Sequence, residues 1–287
     1  MLTLSTPKVD NGNMLQQIYN SDPAMTTLAF VLLALCVPCG AGIFLDPRRV
    51  HNAPVWLKPA KFAVSIPIYL ISMAFMRGHL SIWPEWVAVA SGATTWMLLL
   101  EWVLIVVQAA RGTGSHFNVG KPLDAAILSA MAAGIAIVWV ASVFFAVALF
   151  RQPFLDPVLG TALRLGMVLT VLGSASGRAM IGPTPVQLEE ARITGRLALA
   201  GAHTVGAPDG GPGLPVTNWS TQHGDLRVPH FLGLHGMQFL LLVGWLAGRV
   251  FAPAIAVLLL EASAGVYFLL FLYLYRQARS GIPVWRR

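Results

Sequence analysis

The chain has 287 residues, of which 56% are hydrophobic and only 11% are charged, well below the roughly 25% charged residues of an ordinary soluble domain. Its formal net charge is +7, and the basic residues are spread between apolar stretches rather than gathered on one polar face. This composition indicates an integral membrane protein and excludes a nucleic-acid-binding domain.

Seven apolar stretches come close to or exceed the ~20 residues that a helix needs to cross a bilayer. Because a lone strand could not satisfy its backbone hydrogen bonds in lipid, each stretch is predicted to be a helix. We therefore expect an all-α fold, a polytopic bundle of about seven transmembrane helices that forms one integral membrane domain. The predicted spans are residues 25–45, 60–76, 85–108, 126–150, 157–180, 230–250 and 253–275.

The segments around these spans complete the predicted organisation. Residues 1–24 have no basic region followed by an apolar core, so no cleavable signal peptide is expected. The division is an extramembrane segment at 1–24, helices one to five at 25–180, a long cytoplasmic loop at 181–228, helices six and seven at 229–277, and a basic tail at 278–287.

The basic residues favour an N-terminus outside and a C-terminus inside. In that orientation fourteen of the nineteen Lys and Arg residues lie on the inner side, as the positive-inside rule requires, four lie outside, and Arg164 is within a span. The inner group is Arg48, Arg49, Lys58, Lys61, Arg111, Lys121, Arg178, Arg192, Arg196, Arg227, Arg276, Arg279, Arg286 and Arg287. The outer group is Lys8, Arg77, Arg151 and Arg249.

Polar residues are sparse in the first three spans. Cys36 and Cys39 lie in the first span without the strand–helix context of a redox motif, which favours inert buried thiols. Lys58 and Lys61 lie at the inner end of the second span, either as headgroup anchors or as substrate ligands. Glu101 lies about 10 Å below the inner interface, where a carboxylate needs a proton or a partner.

Three further polar residues follow the third span. Arg111 and His116 lie in the segment 108–118, where they either cap a helix end or contribute to a site. Arg178, at the inner end of the fifth span, is either a snorkelling anchor or a headgroup ligand.

A second layer of polarity is expected nearer the outer side. Arg164 and Glu261 each lie about eight residues from the outer end of their spans, so their depths are equal. Opposite charges at one depth predict an ion pair that clamps two helices, with an ion or proton path as the alternative.

The loop between the fifth and sixth spans is unusually long. Thr184-Pro185-Val186-Gln187 is a capping-box pattern with proline at the first helical position, which predicts a helix to about Leu199 along the inner membrane surface. Residues 206–215 contain too many glycines and prolines for regular structure. Residues 206–222 would suit a lid, and a loosely ordered connection fits equally well.

The sixth span begins with an unusual set of polar residues. Asp225, His230, His235 and Gln238 lead directly into the apolar helix, and such groups at membrane depth tend to mark function. The two histidines are five residues apart and therefore about 140° apart around the helix, which is poor geometry for one metal unless Pro229 distorts the first turn. Structural hydrogen bonding and a site role are both open.

Depth along the helices places His235 level with Glu101. We therefore predict that Glu101, His116, His230 and His235 converge on one inner-leaflet pocket, roofed by residues 206–222.

Three segments together resemble a family of bacterial multi-pass membrane proteins. They are Trp-x-Lys-Pro-x-Lys-Phe at 56–62, Gln-Ala-Ala-Arg-Gly…Ser-His-Phe-Asn at 108–118, and Asp-Gly-Gly-Pro-Gly…Asn-Trp-Ser…Gly-Asp-Leu-Arg…His-Phe-x-Gly-Leu-His at 209–235. The resemblance covers most of the chain and implies a multi-pass protein of the bacterial inner membrane. It implies no activity, because none is established for that family.

The layout is also similar, more weakly, to the seven-span membrane metal-hydrolases. That resemblance implies roles for Ser65, His116 and the pair His230 and His235 as the serine, the histidine near a span end and the paired histidines of those enzymes. The five-residue spacing departs from their i, i+4 pattern.

Three functions remain open from the sequence. The leading hypothesis is a membrane enzyme that acts on a lipid-like or isoprenoid amphiphile, with hydrolysis by Zn or Fe held by His116, His230 and His235. The predicted catalytic residues are Glu101, His235 and Asp225. The predicted substrate-binding residues are Lys58, Lys61, Arg111, Arg178, Asn218, Trp219 and Gln238.

The alternatives use the same polar groups differently. One is an oxidoreductase that binds haem b non-covalently, or a quinone, through the same histidines. The other is a transporter or structural protein in which Arg164 and Glu261 are central. The expected partners are the lipid bilayer and an amphiphilic small molecule, and the oligomeric state is left open.

Overall fold

The computed structural model describes residues 13–285. Lys8, Arg286 and Arg287, which entered the topology prediction, lie outside the described residues. The helices are α1 (Met14–Ser21), α2 (Pro23–Leu45), α3 (Leu57–Arg77), α4 (Pro84–Ala110), α5 (Pro122–Arg151), α6 (Pro157–Ser176), α7 (Pro185–Thr194), α8 (Arg227–Leu234), α9 (Gly236–Val250) and α10 (Pro253–Arg279). A 3-10 turn covers Gly177–Met180, and the short strands are β1 (Arg49–Val50), β2 (Ala53–Pro54), β3 (Thr204–Val205) and β4 (Gly224–Asp225).

The predicted all-α multi-pass fold is confirmed. Six helices (α2 to α5, α6 with its 3-10 turn, and α10) are long and apolar enough to cross a membrane, and the bent pair α8–α9 adds a seventh if it is one span. The pair starts at the end of the bundle where α10 finishes, because Gly224 packs against the carbonyl of Ala278. The orientation of the termini stays a prediction.

Local sequence signals set most helix starts. Six helices begin with proline at the first helical position, where the missing N–H costs nothing. Asp22 and Asp156 cap α2 and α6 by accepting backbone N–H bonds, for example from Met25 at 3.0 Å. The predicted capping box of Thr184 and Gln187 is present at the start of α7.

Two predicted elements have different bounds. α7 ends at Thr194, not near Leu199, because Gly195 adopts a left-handed conformation (φ 72°) that stops the helix. The predicted sixth span is broken at His235, where α8 and α9 meet at 43°. Next to the break α8 packs closely on α6, since a Cβ on Gly233 would lie 2.3 Å from the Cα of Gly173.

The core lies between the helices. One buried cluster joins α2 to α6 through residues such as Leu32, Met73 and Phe145, and a second joins α6, α9 and α10 around Leu240 and Leu260.

We call one end of the bundle the loop face. There α3, α5 and α8 begin and α2, α4, α6 and α10 end, and the long loop 181–226 covers them. Two short antiparallel pairs, β1–β2 and β3–β4, lie there. The side chain of Asn52, in the β1–β2 turn, donates to the carbonyl of Gly210 at 2.8 Å and so ties that turn to the long loop.

Candidate functional site

His116 is the centre of a buried polar chain at the loop face. Its Nδ1 lies 2.8 Å from Lys58 Nζ, and its Nε2 lies 3.4 Å from Glu101 Oε1. Because an ammonium can only donate, Nδ1 accepts from Lys58, and the ring proton then lies on Nε2, facing the carboxylate. We call these three residues the relay.

The three members of the relay come from separate elements. Lys58 is in the first turn of α3, His116 is in the loop before α5, and Glu101 lies nine residues before the end of α4, about 14 Å along the helix axis. Glu101 is only 2% exposed, and its Oε2 has no hydrogen-bond partner among the described residues. Such an orphaned buried oxygen requires a proton, a water or a ligand.

The loop that carries His116 is fixed at both ends. α4 ends in a Schellman motif, in which the Gly112 N–H donates to Ala109 and the Thr113 N–H to Gln108, with Gly112 at φ 68°. Arg111 then forms an ion pair with the buried Asp124 of α5 at 2.6 Å. The predicted headgroup ligand Arg111 therefore has a structural partner.

Electrostatics favour a neutral His116. Burial lowers the pKa of its imidazole below the ordinary value, and the positive charge of Lys58 lowers it further, while Glu101 opposes both.

A cavity of about 340 Å³ at the loop face has His116 in its wall, together with Arg49, His51 and Asn118. The relay therefore connects this cavity to Glu101.

A segment of the long loop lies across the start of α3. We call residues 213–220 the strap. The Lys61 ammonium donates to the Thr217 carbonyl at 3.1 Å, and the Arg227 guanidinium donates to the Asn218 carbonyl at 2.5 Å. Val216 and Asn218 both have positive φ (64° and 56°), which is strained for a β-branched residue such as valine.

The strap is anchored by Asp225. This carboxylate is 1% exposed and accepts from the Ser220 N–H and from both the backbone and the guanidinium of Arg227. Its oxygens are therefore occupied, which fits an anchor better than the predicted catalytic role. Trp219 packs edge-on against Phe231, with ring centroids 5.5 Å apart.

A second His–Asp contact closes the long loop. His203 Nδ1 lies 2.6 Å from Asp209 Oδ2, and the carboxylate also accepts from the backbone N–H groups of His203 and Thr204. Burial lowers the pKa of His203 to about 4 against the opposing effect of Asp209. Burial alone would raise the pKa of Asp209, but these hydrogen bonds hold it below its ordinary value.

His230 and His235 make contacts elsewhere. His230 Nδ1 donates to the Gly173 carbonyl of α6 at 2.8 Å, and the His235 ring packs on Phe231 with centroids 4.3 Å apart. Neither is hydrogen-bonded to the relay in the described structure.

The predicted metal ligands His116, His230 and His235 do not form a metal site. Within residues 13–285, no group of three His, Cys, Asp or Glu side chains is placed to hold a metal ion. The His230 side chain is hydrogen-bonded to the Gly173 carbonyl of α6, whereas the His116 ring contacts Lys58 of α3 and Glu101 of α4. Ser65, which the hydrolase layout implied, is exposed. The placement of these three histidines therefore does not fit a shared metal ion.

Two other predicted ligands lie away from the relay. Arg178 is exposed in the 3-10 turn. Gln238 donates to the Ser72 hydroxyl at 2.8 Å, and its own Oε1 is buried without a partner among the described residues.

The predicted ion pair between Arg164 and Glu261 is not among those of the described structure. Arg164 instead donates to the carbonyls of Leu149 and Gln152, at 3.0 and 2.8 Å. Carbonyls at the C-terminal end of a helix such as α5 have no partner within the helix. Glu261 is exposed on α10 and lines the same groove as Arg164.

No protein-family model, curated protein or solved structure matches this chain. The chain is a multi-pass helical membrane protein on its composition and fold. The two family resemblances stay predictions.

Sequence reasoning predicted that Glu101 and His116 lie in one pocket, but it did not predict the contact between His116 and Lys58, and it missed His203 and Asp209. Lys58 and His116 are 58 residues apart, and no local periodicity relates them. His203 precedes the Gly- and Pro-rich stretch that contains Asp209, and their spacing of six matches no motif.

Proposed function

We propose that this protein is a membrane enzyme that binds the anionic headgroup of an amphiphile at the loop face and hydrolyses it, with Glu101 as the proton acceptor, Lys58 as the proton donor and His116 positioning both. The observation that carries this proposal is the buried Glu101 carboxylate, with one oxygen facing His116 and the other unpartnered in the described structure. A buried ionisable group whose hydrogen-bonding capacity is partly unused needs an explanation, and a catalytic role is one of those explanations.

Charge supports an anionic ligand. Asp225 pairs with Arg227 and Asp209 contacts His203, but neither Lys58 nor Lys61 has a carboxylate within ion-pair distance in the described structure. Lys58 contacts a neutral imidazole and Lys61 contacts a carbonyl. Two adjacent ammonium groups without a counter-ion would be stabilised by a phosphate or a carboxylate.

The strap supports an opening step when that ligand binds. Lys61 and Arg227 hold the strap through the carbonyls of Thr217 and Asn218, and an anionic headgroup would compete for those same donors. Binding would therefore release the strained conformation at Val216 and Asn218. In this proposal the strap opens as the headgroup takes the place of its carbonyls.

The relay then supplies the acid–base steps. Glu101 accepts a proton from water as the water oxygen bonds to the acyl carbon or phosphorus of the substrate and the ester oxygen leaves. Lys58 gives a proton to the leaving oxygen. Solvent then takes the proton from Glu101 and returns one to Lys58, while the His116 ring, which lies between the two groups, holds them in place. The net change is the addition of one water across one ester or phosphoester bond.

The test is hydrolysis in heavy-oxygen water. The purified protein in detergent is incubated in H2(18)O with phosphatidic acid, phosphatidylglycerol or farnesyl diphosphate, and mass spectrometry follows 18O in the released acid or phosphate. Glu101→Gln and His116→Asn should each lower 18O incorporation by about 100-fold, the scale of lost acid–base catalysis.

Glu190→Gln is the matched control. Glu190 is exposed on α7 at the same face and makes no side-chain contact in the described structure, so this change should leave turnover unchanged. Absence of 18O product from all three substrate classes would overturn the proposal, and so would equal turnover by Glu101→Gln and the wild type.

A further inference from the structure

A second polar feature lies away from the relay, between α5, α6 and α10. A groove of about 550 Å³ is lined there by two charged residues, Arg164 and Glu261, and by apolar side chains that include Phe150, Leu172 and Phe268. The proposed enzymatic site makes no use of it.

Arg164 is held in a fixed position at one end of this groove. Its Nε and Nη2 donate to the carbonyls of Leu149 and Gln152 at the end of α5, and its guanidinium stacks over the Phe154 ring at 5.0 Å. Its Nη1 makes no hydrogen bond in the described structure. Because α5 ends there, the guanidinium is level with the face of the bundle opposite the loop face.

Glu261 is the complementary group. It lies eight residues after Pro253 at the start of α10, is exposed, and makes no hydrogen bond or ion pair with the described residues. An ionisable side chain in a membrane-spanning helix is costly unless a proton or a partner neutralises it. The structure therefore leaves one carboxylate and one guanidinium nitrogen facing a shared groove.

The groove has the polarity gradient of an amphiphile. Leu172 lies eight residues beyond Arg164, and Phe268 lies seven residues beyond Glu261, which puts both about 10–12 Å further into the membrane. The end near the bundle face is charged, and the deep end is apolar. A headgroup would meet the first and an acyl chain the second.

We infer that this groove binds an aminophospholipid from the leaflet opposite the loop face. The phosphate contacts Arg164 Nη1, the amine contacts Glu261, and one acyl chain lies along Leu172 and Phe268. A headgroup that carries both charges matches the two opposite charges of the groove, whereas an anionic lipid leaves Glu261 unpaired and repels it.

A larger side chain at Gly265 would block the groove. Gly265 lines the groove, and a Cβ built on it meets no atom within 4 Å, so the side chain of Gly265→Leu starts in open space and extends into the groove. Gly92 on α4 has the same open surroundings and lies outside the groove, so Gly92→Leu is the matched control.

The experiment is native mass spectrometry of the intact protein, delipidated in detergent and offered equal amounts of phosphatidylethanolamine and phosphatidylglycerol. The wild type should retain phosphatidylethanolamine about tenfold more than phosphatidylglycerol, the factor expected for one charge-assisted contact. Gly265→Leu should lower phosphatidylethanolamine retention about tenfold, and Gly92→Leu should not. Glu261→Gln, which removes no hydrogen bond or ion pair with residues 13–285, should abolish the preference between the two lipids.

Three results would overturn the inference. One is equal phosphatidylethanolamine retention by Gly265→Leu and the wild type. Another is a lipid preference that Glu261→Gln leaves unchanged. The third is a dimer in the wild type that Gly265→Leu dissociates, because the groove would then be an interface between copies of this chain.

Discussion

The strength of the relay can be measured by replacing Lys58 and Glu101 singly and together. The two charges contact opposite nitrogens of the His116 ring, at 2.8 and 3.4 Å, so they are about 8 Å apart at most. At that distance and an effective dielectric constant of about 20, opposite unit charges attract by about 2 kcal/mol. Lys58→Met with Glu101→Gln should therefore be about 2 kcal/mol less destabilising than the two single changes added together.

The assay is reversible unfolding in mixed micelles with increasing sodium dodecyl sulfate, which gives a free energy of unfolding for each variant. Glu190→Gln combined with Lys58→Met is the control pair and should be additive, since Glu190 is exposed on α7. A coupling below about 0.5 kcal/mol between Lys58 and Glu101 would show that the relay is not an electrostatic unit.

Three further predictions concern the fold and the long loop. A reporter fused to the C-terminus should be active only on the cytoplasmic side; activity on the other side would reverse the predicted orientation. Acidification from about pH 6.5 towards pH 4 should destabilise the long loop, because the pKa of His203 is lower in the folded state than in the unfolded state. Below about pH 3.8 the protonation of Asp209, whose pKa is also lowered in the folded state, adds to this loss of stability. Amide hydrogen exchange of residues 203–209 measures the stability of the loop at each pH. His203→Phe should remove the pH dependence above pH 4. A pH dependence that persists in that variant would show that His203 is not its source. Gly173→Ala should lower the free energy of unfolding by about 3 kcal/mol, because its Cβ would lie 2.2 Å from Gly233. Gly92→Ala, whose Cβ meets no atom within 4 Å, is the control and should have little effect. Unfolding in detergent measures both, and equal stability of the two variants would contradict the close helix crossing.

Sequence information was strongest where the signal is local. Apolar length predicted the spanning helices, and the capping box with Pro185 predicted the start of α7, because both depend on residues within one helix. The predicted end of α7 near Leu199 was wrong, because Gly195 adopts a left-handed conformation and ends the helix at Thr194. The close approach of Gly233 to Gly173 next to the break at His235 joins residues 60 apart in sequence, which periodicity cannot reveal.

The candidate site shows a different limit. Depth arithmetic places a residue along the membrane normal but leaves its direction around the helix undetermined. Glu101 could be recognised as needing a partner from its depth alone, and the structure supplies His116. His230, expected in the same pocket, instead donates to the Gly173 carbonyl of α6.

Buried polar groups therefore have to be separated by whether their hydrogen-bonding capacity is used within the protein. Asp225 was as good a catalytic candidate as Glu101 by residue type and position, yet its oxygens are occupied by Ser220 and Arg227. Glu101 keeps an unpartnered oxygen in the described structure, and Lys58 and Lys61 keep donors that no carboxylate satisfies there. An unused buried acceptor costs about 1–3 kcal/mol, so the free oxygen of Glu101, next to a histidine that contacts Lys58, is best explained by a bound ligand or a proton.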